Sequence, residues 1–215
     1  MIEYYIGVSL APAATIETGI AVLDQNNTLI MVDKFFTMKD VQHFFDNYSS
    51  IKNSKISISL PWDNTLMTGK WRILSKPYQF LRTGNKQAFI NTDNWLQRFS
   101  TRGCEYFSEL VEEGADITRF DLYMTKLKLN LNSNYKLRSP ADCKFLQNIL
   151  KTEFGFNDIP TNMLPAGALE AMIGAILARE KSNNNSEVLY NFKGLDVVNV
   201  KCSDLVYKAS LAPVE

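Results

Sequence analysis

Histidine is the scarcest chemistry-bearing residue in this chain: 215 residues hold one, His43. That excludes chemistry built on a cluster of imidazoles, and a Ser-His-Asp arrangement would have to use that single residue. Cysteine is nearly as sparse. Cys104, Cys143 and Cys202 lie far apart, an odd set without C-x-x-C spacing, which gives neither a zinc knuckle nor a disulfide framework. Free, buried thiols in a reducing compartment are expected. The ten glycines form no G-x-G-x-x-G run and no P-loop, so no phosphate cradle is legible. No apolar run approaches the ~18 residues that a membrane span needs. The first residues, Met1-Ile2-Glu3-Tyr4-Tyr5, are no basic stretch followed by an apolar run, so no signal peptide is expected. A cytoplasmic protein without a membrane partner is the expectation. Net charge is missing too: 23 Lys and Arg stand against 23 Asp and Glu. Neutrality argues against a protein that grips phosphate backbones over a wide surface, although a local basic groove stays compatible with it.

What is present is ordinary for a folded domain: 46% hydrophobic and 21% charged residues. A chain of this length buries a sizeable core, and we read residues 1–215 as a single domain. Tyr4 to Leu10 reads as a buried first strand, Thr18 to Leu23 as a second and Leu29 to Asp33 as a third. Asp24-Gln25-Asn26-Asn27 is turn chemistry, so the three form an antiparallel meander. A helix opens at Thr37 or Met38 and places Met38, Val41, Phe44, Phe45 and Tyr48 on one face. Lys55 to Leu60 alternates polar and apolar, and Pro61 stops it. The strand–helix–strand crossover implies that this fourth strand runs parallel to the first.

Residues from about 61 to 115 read as an insertion. All three Trp (Trp62, Trp71, Trp95) lie in it, and it ends in a short helix over residues 101–113 closed by Gly114. Phe120 to Leu129 reads as a strand through its near-alternating Leu122, Met124, Leu127 and Leu129. Ser139 caps a helix with Pro140 at its first position. A further helix starts near Pro165, with Leu169, Met172, Ile173, Ile176 and Leu177 on one side and small residues that permit close packing on a sheet. Lys181 to Glu187 reads as solvent loop, and Val188 to Val206 as a hairpin. Residues from about 182 to 215 form a C-terminal extension. The expected class is α/β: a mixed sheet of an antiparallel three-strand meander plus parallel strands, with helices on both faces.

Several residue patterns add to this order of elements. Ile6-Gly7-Val8-Ser9 pairs with Thr18-Gly19-Ile20-Ala21-Val22. Ile58-Ser59-Leu60-Pro61 ends the fourth strand, Tyr135-Lys136 precedes a helix, and Gly167-Ala168-Leu169-Glu170-Ala171 opens one. Together they resemble the RNase H-like superfamily over about residues 3–60 and 119–180. More specifically, they resemble the family of predicted RNase H-like nucleases known as DUF429, relatives of the RuvC-type Holliday-junction resolvases. The resemblance implies an RNase H-like sheet. It also implies carboxylates brought together from the first strand, the fourth strand and the last helix to hold Mg²⁺ or Mn²⁺. This chain departs from that pattern. Ser9 and Ser59 stand at the strand positions and Gly167 at the first helix position, leaving Glu170 as the carboxylate at a matching place. A hydroxyl carries no charge at pH 7, so two-metal hydrolysis would need substitute acids.

Asp63, four residues past Ser59, is the best substitute, and with Glu170 it is the candidate catalytic and metal-ligating pair. A turn residue is the plainer role for Asp63, and an exposed first-turn glutamate the plainer role for Glu170. Ser9, Ser59 and Lys136 are candidate substrate contacts, joined by Lys70, Trp71 and Arg72. These last three belong to a basic, aromatic stretch between residues 61 and 100, whose acids are Asp63 and Asp93. Interleaved cations and aromatics suit a nucleic acid, or the Trp residues pack onto the core. Ser9 and Ser59 as nucleophiles would need His43 or a carboxylate as base.

Three functions follow. The first is a degenerate RNase H-like protein acting as a binding or assembly subunit, with nucleic acid or protein as partner and no cofactor. The second is a metal-dependent nuclease with a rearranged site built from Asp63, Glu170 and Glu105 or Glu109. The third, weakly supported, is an actin-like nucleotide-binding protein. The resolvase relatives also make a homodimer plausible.

Overall fold

The structure is a computed structural model, and it describes residues 3–10, 17–47, 53–59, 106–107, 109–120, 122–156, 158–192 and 195–200. Strand β1 (Tyr4–Ser9) is bracketed by β2 (Thr18–Asp24), antiparallel to it, and β4 (Ser54–Ser59), parallel to it. β3 (Leu29–Phe35) pairs antiparallel with β2 and closes the expected meander. The β2–β3 turn is fixed by Asp24, whose Oδ1 accepts from the N–H groups of Asn26 and Thr28, both at 2.8 Å. Asn27 there takes the left-handed φ of 65° that Asn tolerates. β5 (Asp116–Phe120) runs parallel to β4, and the hairpin of β6 (Ser186–Phe192) and β7 (Leu195–Val200) extends the sheet. The seven strands lie in the order β3-β2-β1-β4-β5-β7-β6. This is the mixed α/β sheet expected.

Strand periodicity divides the core in two. On β1 and β2, Ile6, Val8, Ile20 and Val22 point to one face, where they meet Ile56, Ile58 and Ile117. Helix α1 (Met38–Asn47) covers that face with Val41 and Phe45. A capping box starts α1: Thr37 Oγ1 accepts from the Asp40 N–H at 3.1 Å, and the Asp40 carboxylate accepts back from the Thr37 N–H at 3.2 Å. Helical residues 106–107 and 109–112 add Tyr106, Phe107 and Leu110 to the same face. They end at Gly114, whose φ of 97° provides the left-handed stop.

The opposite face carries α2 (Leu122–Lys128), α3 (Pro140–Thr152) and α4 (Ala166–Ser182). Ser139 caps α3 through a 3.3 Å bond from the Asp142 N–H, with Pro140 at the first position, as the sequence implied. α4 is the central element. Gly7 and Gly19 sit directly beneath it: a Cβ on Gly7 would lie 1.8 Å from the Ala171 carbonyl oxygen, and one on Gly19 1.9 Å from that of Gly167. At these two positions the sheet face toward α4 is cut away to backbone.

Three expectations change. Leu122–Lys128 is helix, not strand, and the strand here is the shorter Asp116–Phe120. The burial shows why: Thr125, Lys126 and Leu129 are buried while Leu127 is 47% exposed, a helical spacing that near-alternating leucines disguise. Lys181 to Glu187 is not a solvent loop, because α4 runs to Ser182 and β6 begins at Ser186. α4 itself is buried on all sides from Gly167 to Ala178, since its small face lies on the sheet and α2 and α3 flank its larger side chains. No helix among the described residues is long and apolar enough to cross a membrane.

Candidate functional site

β1 and β4 run in register, so Ser9 and Ser59 are neighbours at the C-terminal ends of adjacent parallel strands. Both stand on the odd-numbered side of their strands, the side facing α4. α4 supplies Glu170 one turn from its start. The Ser9 hydroxyl donates to Glu170 Oε2 at 2.8 Å, and both residues are 6% exposed. A hydrogen bond to a buried carboxylate contributes roughly 1.5–3 kcal/mol. Glu170 is thus not the exposed first-turn glutamate of the plainer reading.

Two residues that sequence reasoning missed complete the site. Arg138, in the turn before α3, places Nε 3.5 Å from Glu170 Oε1 and Nη2 3.2 Å from Glu17 Oε1. Glu17, just before β2, also accepts from the Gly167 N–H at 3.1 Å. That contact satisfies an N-terminal donor of α4, whose cap residue Pro165 has no side chain able to do so. Arg138 is held in a left-handed conformation, φ 60°, with its N–H donating to Asp142 Oδ2 at 2.9 Å. Ser133 Oγ donates to the other oxygen of Asp142 at 2.5 Å, so the turn that aims the guanidinium is itself pinned.

Partial burial pushes the Glu17 carboxyl up. The N–H groups of Glu17 itself and of Gly167, with the charges of Arg138 and Lys34, outweigh that and hold it below its ordinary value of 4.5. A carboxylate whose folded value is depressed adds stability above the unfolded value, and loses it as pH falls through the folded value. Glu17→Gln is therefore expected to be less stable than the wild type at neutral pH by a margin that closes below about pH 4.5. Urea melts of both proteins across that range check this, and a margin independent of pH would contradict it.

The other candidates divide. Lys136 is exposed, and its carbonyl accepts from the Ser139 N–H at 3.0 Å; the cation that reaches the site is Arg138, two residues on. Asp63, Lys70, Trp71, Arg72 and Glu105 lie outside the described residues. Glu109 cannot join Glu170. It is exposed on the helical stretch whose Tyr106, Phe107 and Leu110 pack against the other face of the sheet. His43 is exposed on α1, on that same far face, where Asn47 Nδ2 donates to its carbonyl at 2.7 Å. It is no base for Ser9 or Ser59.

A divalent ion at this position would need Glu170 oxygens free to ligate it and further negative charge beside them. Instead Oε2 accepts from Ser9, and Arg138 engages both Oε1 and the nearby Glu17 carboxylate, while Ser9, Ser59 and Gly167 contribute no charge. The described residues do not fit a catalytic metal pair, and they include no group of three potential metal-binding side chains. A nucleophilic Ser9 fits no better, because the carboxylate that would take its proton is drawn toward a guanidinium.

Compared with models of known families, with curated proteins and with solved structures, the chain matches none.

Proposed function

We propose that this chain is an RNase H-like protein that has lost its two-metal nuclease site and works as a binding or assembly subunit, with nucleic acid or another protein as partner. The observation that carries this reading is the engagement of Glu170. The carboxylate at the position where the resemblance calls for a metal ligand is buried, bonded to Ser9 and paired with Arg138. The element order supports the fold assignment: an antiparallel meander, a crossover helix to a strand parallel with β1, and a late helix lying on the sheet. The basic aromatic segment that begins just past Ser59 supports an anionic partner. A cytoplasmic location belongs to the same reading and is supported by a buried, free Cys143.

Calorimetric titration of the protein with Mn²⁺ tests the reading. Flat heats at millimolar metal are expected. A stoichiometric binding isotherm that disappears in Glu170→Ala would restore the rearranged-site nuclease, with Asp63 as the natural second ligand.

A further inference from the structure

The misfit with a divalent ion also identifies what stands in its place, and this inference rests on the reading just given. Two carboxylates, Glu170 at 6% exposure and the partly buried Glu17, converge at the start of α4. Carboxylates withdrawn from water need positive charge close by. Among the described residues, the cation within 4 Å of both is the Arg138 guanidinium, at 3.2 Å from Glu17 and 3.5 Å from Glu170. A guanidinium suits the task because it stays charged and its donors form a rigid fork that can serve two carboxylates at once. The backbone is shaped to deliver it. Arg138 adopts a φ of 60°, rare for a residue with a side chain, and Asp142 and Ser133 lock that turn.

We infer that Arg138 is a tethered substitute for a metal ion. It supplies the charge that Glu17 and Glu170 require, and by occupying both carboxylates it keeps divalent cations out. The site is closed by the chain's own cation rather than merely depleted of acids. Removing that cation uncovers two carboxylates with the Ser9 hydroxyl beside them, a set of oxygen donors that a hard dication accepts.

The test compares the full-length wild type, Arg138→Gln, Arg138→Lys and the double variant Arg138→Gln/Glu170→Gln by thermal melting with and without MnCl₂. Arg138→Gln is expected to melt below the wild type without metal. It should recover by roughly 5–10 °C when Mn²⁺ reaches about 100 times its Kd. The wild type, Arg138→Lys and the double variant should not respond. An Arg138→Gln protein that melts at the same temperature with and without Mn²⁺ overturns the inference. If Arg138→Gln does not fold unaided, refolding from urea gives the same decision: recovery with Mn²⁺ supports the inference, and no recovery overturns it. Mn²⁺ binding by the wild type would overturn the proposed function and this inference together, whereas an unresponsive Arg138→Gln overturns the inference alone, so the two failures are distinguishable.

Discussion

Gly7→Ala is expected to remove the folded protein altogether. The added Cβ would lie 1.8 Å from the Ala171 carbonyl oxygen, 2.3 Å from the Ala175 nitrogen and 2.8 Å from the Gly174 carbonyl carbon. All three are backbone atoms of α4, so no rotamer change relieves the clash. α4 would have to lift from the sheet, carrying with it the core that it shares with Tyr5, Leu23 and Phe120. Overpacking usually costs about 1–3 kcal/mol, but here the displaced atoms belong to a helix buried on every side. A loss above about 5 kcal/mol reaches the lower end of the stability of an ordinary domain. Soluble yield and far-ultraviolet circular dichroism check it. A well-folded Gly7→Ala with an unchanged melting point would mean that α4 does not sit where the structure puts it. Gly174→Ala is the control. Its Cβ would meet the buried Phe120 ring at 2.8 Å and the Gly7 Cα at 3.1 Å, looser contacts than those at Gly7, and a smaller loss is expected.

Phe107→Ala carries the second large effect, a loss of about 3–5 kcal/mol. Phe107 is fully buried, its ring edge-on to Phe45 of α1 at 5.6 Å and close to Tyr106 at 5.1 Å. Its value lies in what it tests: that residues 106–112 pack on the face opposite Glu170. Denaturant unfolding with an unchanged m-value and a lowered midpoint is the expected result. A loss below about 1 kcal/mol would detach this segment from the α1 face and return Glu109 to consideration as a partner for Glu170.

The sheet was largely legible because strand patterning is local. The apolar runs of β1 and β2, the Asn27 turn and the alternation before Pro61 each need only a few adjacent residues. Helix α3 was equally plain from Ser139-Pro140. The stretch after Phe120 was not, because four leucine and methionine positions mimic a period of two while burial follows Thr125, Lys126 and Leu129. Within the site, Ser9, Ser59 and Glu170 could be singled out by their places on strand and helix. Arg138 and Glu17 could not. Their contact joins residues 121 positions apart, and neither belongs to a periodic pattern. The available signal was slight: Glu17 directly precedes β2, and Arg138 directly precedes a helix cap. Lys136 drew attention as half of a Tyr-Lys pair, two residues from the cation that the fold uses.

In this site two carboxylates share one guanidinium. Glu17 holds the start of α4, Arg138 spans Glu17 and Glu170, and Glu170 holds Ser9. The links tie the loop before β2, the turn before α3 and the end of β1 to the central helix, so the arrangement contributes structure there.

The most direct measurement is a cleavage assay on single-stranded and duplex DNA, RNA, RNA–DNA hybrid and four-way junctions, each with Mg²⁺ and with Mn²⁺. The account predicts no metal-dependent product from the wild-type protein on any of these substrates. Metal-dependent cleavage that is abolished by Glu170→Ala would contradict it.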